Sequence, residues 1–166
     1  HNNFLIIFCR HNIVIYQSAD NPISSNFGLQ DVIVGVGCVA KRSVQNTGND
    51  LIFLSDTGIR SLGRVIQEKS LPMRDLTKNI RDDFLKDAIA ETANYGSLDQ
   101  VGSVYSEVNA FYLISFPSTQ TVYCLDMRSS LEDGSARVTV WYEYPSAAFL
   151  RLRNRKAIAY VTSLIM

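Results

Sequence analysis

Four apolar stretches recur along the 166 residues, and their spacing limits what this chain can fold into. They are Asn3-Phe4-Leu5-Ile6-Ile7-Phe8, Asp50-Leu51-Ile52-Phe53-Leu54, Ala110-Phe111-Tyr112-Leu113-Ile114 and Ala157-Ile158-Ala159-Tyr160-Val161. Ile6 to Ile52 is 46 residues, Ile52 to Leu113 is 61, and Leu113 to Ile158 is 45. Each stretch reads as a short β-strand. A turn signal and a second strand follow the first three: Cys9-Arg10-His11-Asn12 before Ile13–Tyr16, Ser55-Asp56-Thr57-Gly58 before Ile59–Leu62, and Phe116-Pro117-Ser118-Thr119 before Thr121–Leu125. In the second of these hairpins Gly58 supplies the positive φ the turn needs. Thr47–Asp50 and Asp99–Gly102 read as preceding turns, and Arg137–Tyr144 as a strand that Pro145 ends.

The long middle interval has a visible cause. Leu76, Ile80, Phe84 and Ala88, joined by Leu85 and Ile89, follow the i, i+4 period of one helix face. The expected helix runs from Asn79 to Asn94, inside an insertion at about 76–95, with Thr77 or Asn79 as N-cap. Asp82 and Asp83 complement the dipole in the first turn, and Gly96 is the stop.

Hairpins recurring every ~45 residues have the period of β-propeller blades. A β-sandwich with irregular loops is the competing architecture. The expected fold is mainly β: residues 1–166 form a fragment of a β-propeller-like repeat domain with one inserted α-helix. It holds about three blades and the start of another, fewer than a closed propeller's four or more. The chain is therefore expected to be a piece of a longer polypeptide, and it opens at His1 without a starting Met.

Lys+Arg and Asp+Glu are 16 each, for a formal net charge of zero. A free-standing nucleic-acid binder needs excess cations to displace counterions from phosphates, so that class is disfavoured. The uncharged apolar run 32–40 is too short to span a bilayer. Cys9, Cys38 and Cys124 are widely spaced among apolar neighbours and read as buried, reduced thiols without a metal. With His1 and His11 the only histidines, neither a metal site nor a cofactor is expected.

Enzymatic readings find little support. No nucleophile elbow is present, and His11 sits in a hairpin turn. Val34-Gly35-Val36-Gly37-Cys38 contains G-x-G without the third glycine and the following helix of a dinucleotide fingerprint. A bulged, tightly packed strand explains it better. Asp82-Asp83 and Glu132-Asp133 read as helix-dipole and turn residues. Arg60, Arg64, Lys69 and Arg74 form one basic stretch, and Arg151, Arg153, Arg155 and Lys156 another. Both read as solvated loop edges or as contacts to a partner subunit or a passing polyanion. The candidate interface residues are Ile80 and Phe84 on the helix and Arg151, Arg153, Arg155 and Lys156 in the basic turn.

Gly35-Val36-Gly37-Cys38-Val39-Ala40, Ser43–Gly48 and Asp50–Leu62 together resemble the tail nozzle (tail tubular or stabilisation) proteins of short-tailed bacteriophages. In that family a "GC-A-SV" strand precedes a hydrophobic-Phe-Leu-Ser-x-x-Gly-hydrophobic-Arg-Ser-Leu hairpin. Tyr112–Phe116, Val122–Asp126 and Val138–Trp141 resemble the blade that follows. The resemblance implies a non-enzymatic virion protein whose propeller-bearing subunits form a homo-oligomeric ring at the tail tip. Its partners would be adaptor and fibre proteins, with DNA passing through. The platform regions that would line the channel are not visible in this sequence. A ligand- or receptor-binding propeller module, reading a glycan or a protein with its loops, is the alternative.

Overall fold

The apolar stretches form strands, and most of the turns fall where the sequence expects them. The structure, a computed structural model, describes residues 3–17, 27–67, 75–144, 148–151 and 158–161. Three strands, β1 (Leu5–Phe8), β2 (Asn12–Gln17) and β3 (Gly28–Val34), make the first antiparallel sheet. The second sheet is β4 (Gln45–Asn46), β5 (Leu51–Ser55) and β6 (Gly58–Ser61). A short helix α1 (Leu62–Gln67) and the long helix α2 (Arg81–Tyr95) precede the third sheet. That sheet is a four-stranded meander of β7 (Gly102–Ser106), β8 (Phe111–Phe116), β9 (Thr121–Ser130) and β10 (Ala136–Trp141). β11 (Ala148–Arg151) and β12 (Ile158–Val161) pair as a fourth.

The four apolar stretches thus lie in four different sheets. They do not all hold the same place. β5 and β8 are each the second strand of a sheet, whereas β1 is an edge strand. The 46-residue spacing therefore joins unlike positions.

Three apolar cores lie between successive elements of this series. Ile13, Ile15 and Ile33 of the first sheet pack against Leu51 and Phe53 of β5, with Leu62 and Val65 of α1. From the opposite face of β5, Ile52 and Leu54 join Tyr112, Ile114 and Phe116 of β8, Tyr123 and Leu125 of β9, and Phe84 of α2. The other face of the third sheet (Val104, Leu113, Val122, Cys124, with Trp141 of β10) packs against Tyr144 and against Phe149 of β11. All five residues of β5 are buried. Such double burial explains why these strands read as unbroken apolar runs rather than alternating ones.

Helix α2 begins two residues later than expected, after a 3₁₀ turn at Lys78–Ile80. Neither expected cap acts as one: no side-chain cap bond forms. Thr77 Oγ1 instead accepts from Ile59 N at 3.2 Å, and Asn79 donates to the Ala136 carbonyl at 3.3 Å. Gly96 does stop the helix, in the left-handed region at φ 71°, its N–H bonded to the Thr92 carbonyl.

The run 32–40 is not one bulged strand. β3 ends at Val34, Gly35 turns at φ 87°, and Gly37 lies against the backbone of the β1–β2 turn. A Cβ on Gly37 would sit 2.2 Å from the Cys9 carbonyl oxygen, so the second glycine of G-x-G serves close backbone approach.

The cysteines carry no disulfide, but they are not uniformly buried: Cys9 is exposed, Cys38 half-buried and Cys124 buried. Burial raises the Cys38 and Cys124 thiols above their ordinary pKa, which keeps them protonated and slow to react. Native protein should therefore take up one equivalent of iodoacetamide quickly, at Cys9. Denatured protein should take up three; fewer would reveal a bond or a ligand.

Candidate functional site

Helix α2 packs on the core shared by the second and third sheets and bonds to the β8–β9 turn. Glu91, fully buried, accepts the Ser118 amide of the β8–β9 turn at 2.9 Å on Oε2. Asp87 accepts from Tyr123 Oη at 2.6 Å. Leu85 and Ile89, beside the buried stripe, line an open groove of about 510 Å³. Its opposite wall holds Arg10 of the β1–β2 turn, Asp56 of the β5–β6 turn, Val39 and Leu54. Ile89 is 69% exposed, so the helix presents a second apolar edge to this groove. Among the described residues, Arg10 and Asp56 are the groove's only charged lining residues. It can accept an apolar segment, and it holds no paired acid and base.

Glu91 Oε1 and Ser118 Oγ have no hydrogen-bond partner among the described residues. A buried carboxylate with one spare oxygen is costly, so its value lies in holding the turn. Glu91→Ala should destabilise the fold by about 1–3 kcal/mol in urea unfolding, while Glu91→Gln, which keeps an acceptor for Ser118, should cost less.

The stripe that offered a candidate interface packs within the chain. Phe84 is 0% exposed, with its ring 5.1 Å from Phe116 and 5.0 Å from Tyr123 in edge-on contacts. Ile80 is half-buried against the same core. Phe84 is therefore not available to another subunit. Arg151 lies on β11 with its backbone opposite Ile158. Arg153, Arg155 and Lys156 lie outside the described residues, as do Lys69 and Arg74.

Arg60 is not a solvated loop edge. It is 6% exposed, and its Nε donates to Ser55 Oγ at 3.1 Å and to Thr57 Oγ1 at 3.2 Å. Ser55 Oγ in turn donates to the Gly58 carbonyl at 2.9 Å. Only glycine fits at position 58 (φ +139°), because a Cβ would lie 2.5 Å from Thr77 Oγ1. Ser61 donates to Asp50, whose other oxygen accepts the Gly63 amide of α1 at 2.9 Å. Arg81 clasps the fully buried Asp75. Arg64 donates to the Gly134 carbonyl at 2.6 Å. The Ser-x-x-Gly-hydrophobic-Arg-Ser pattern is thus a hairpin-locking network. Sequence reasoning saw its turn but missed its buried arginine.

Burial raises the phenol of Tyr112, 0% exposed, well above 10. Tyr123 rises for the same reason and by its bond to Asp87. The fold favours the neutral phenols, so their contribution is complete below about pH 10 and falls as pH rises beyond it. The slope is up to ~1.4 kcal/mol per pH unit for each. Thermal melts should show Tm dropping steeply above about pH 10, and Tyr112→Phe should flatten that drop.

Among the described residues, no three His, Cys, Asp or Glu side chains gather as a metal-binding set. No described helix is long and apolar enough to cross a membrane. The chain matches no protein-family model and no curated protein.

Proposed function

We propose that this chain is a structural, non-catalytic β-propeller segment of a short-tailed phage tail nozzle, in which propeller-bearing subunits assemble as a homo-oligomeric ring in the virion. One observation carries the reading: small antiparallel sheets follow one another face to face, each joined to the next by an apolar core. Serial stacking of small meanders is the packing of propeller blades. In a sandwich, two sheets share a single core and turn their outer faces to water. Here the second sheet is buried on both faces.

The phage assignment rests on the family resemblance of residues 35–62 and 112–141. Two features found in the fold support it: the locked Ser55–Ser61 hairpin, and Gly37 against the β1–β2 turn. The non-catalytic part rests on how the polar side chains are used. Ser55, Arg60, Ser61, Asp75 and Asp50 are all tied into the framework. Electron microscopy of the protein tests the reading. It should show rings; a monodisperse monomer with affinity for a glycan would contradict it and favour a binding module.

A further inference from the structure

We propose that the groove beside α2 is a contact between two copies of this chain, related by a two-fold axis. The inference rests on the homo-oligomeric part of the reading above and makes no use of the propeller. Its first support is shape. The free edge of α2 carries large side chains, Leu85 and Ile89, beside small ones, Ala88 and Ala93, over about 12 Å of helix. Ile89 stands 69% exposed beside the groove of about 510 Å³. A two-fold contact sets one patch against itself, so a patch that holds both a protrusion and a recess can satisfy both. The Ile89 of each copy enters the groove of the other.

The second support is charge. Arg10 and Asp56 on the opposite wall are both exposed, and among the described residues no ion pair includes either. A purely apolar ligand would leave both charges unanswered, and a partner of one sign would answer only one of them. A second copy answers both: Arg10 meets Asp56 of the partner subunit, and Asp56 meets the partner's Arg10. Area sets the strength. The helix edge and the facing turns bury on the order of 400 Å² a side, about half of what a stable complex needs. The contact is therefore weak in free solution, with a Kd on the order of 100 µM, and strengthens where an assembly already holds two copies close together.

Sedimentation equilibrium of the protein between about 20 and 500 µM tests the contact. The weight-average mass should climb from the 18.6 kDa of one chain toward twice that value. Ile89→Glu should weaken association about tenfold or more and leave Tm unmoved, as solvent-facing changes do. Arg10→Glu and Asp56→Arg should each weaken it about tenfold, because like charges then face one another twice. An equimolar mixture of those two variants should associate about as tightly as the wild type, since each opposes the reversed charge of the other. A protein that stays monomeric at about 500 µM would overturn the proposal. So would a dimer that survives Ile89→Glu, or a mixture no tighter than its parts. Rings under the electron microscope without this association would leave the proposed function standing and refute the contact; association without rings would do the reverse.

Discussion

Replacing Phe84 with alanine should lower folding stability by about 3–5 kcal/mol, the cost of deleting a fully buried phenylalanine and leaving its cavity. The site cannot easily collapse. Phe84 sits between Phe116 and Tyr123, whose rings are themselves 5.9 Å apart and edge-on. Those two belong to the third sheet, while Ile52, Leu54 and Ile59 of the same core belong to the second. The cavity would therefore open where helix and two sheets meet. For a chain of this length the loss corresponds to roughly 10 °C in Tm. Because the ring is 0% exposed, the fraction that still folds should assemble as the wild type does. Loss of assembly with an unchanged Tm would show that the helix has been misplaced. Ile89→Ser is the companion change: at 69% exposed, it should leave Tm within about 0.5 kcal/mol-equivalent of wild type.

Gly37→Ala should be almost as damaging, at about 3 kcal/mol or more, although it adds a single methyl group. The new Cβ would meet the Cys9 carbonyl oxygen at 2.2 Å and the Arg10 carbonyl carbon and oxygen at 2.4 Å. These are backbone atoms, so no side-chain rotation relieves the clash. The β1–β2 turn must retreat, and the Cys38 amide must release the Cys9 carbonyl it holds at 2.9 Å. Arg10 also lines the groove beside α2, so the displacement would reach that surface. Gly28→Ala is the control. A Cβ there meets nothing within 4 Å, and urea unfolding should find it within about 0.5 kcal/mol of wild type. Equal effects at the two glycines would refute the close approach.

What the sequence discloses here depends on how local its cause is. Gly58 was readable because a hairpin turn demands positive φ at one residue, and the structure has it at +139°. The long helix was readable because Phe84 and its i±4 neighbours repeat over three turns, and Gly96 closes it. Helix α1 was not. It has six residues, includes Gly63, and is anchored by Asp50, thirteen positions earlier in the chain. Arg60 looked like surface charge because the hydroxyls that receive it face it only once the hairpin closes. The same holds for the groove. Leu85 and Ile89 are visible as apolar helix positions, but the opposite wall comes from Val39 and Leu54, far away in sequence. Cys9 was misjudged because its apolar neighbour Phe8 turns into the core while Cys9 itself lies in the turn.

The central claim is that these sheets are successive members of a circular array. The most direct test is a high-resolution electron cryomicroscopy map of the assembled protein. The account predicts that the sheets containing β2, β5 and β8 radiate as consecutive blades around one axis. Finding those sheets arranged instead as two opposed layers would contradict it.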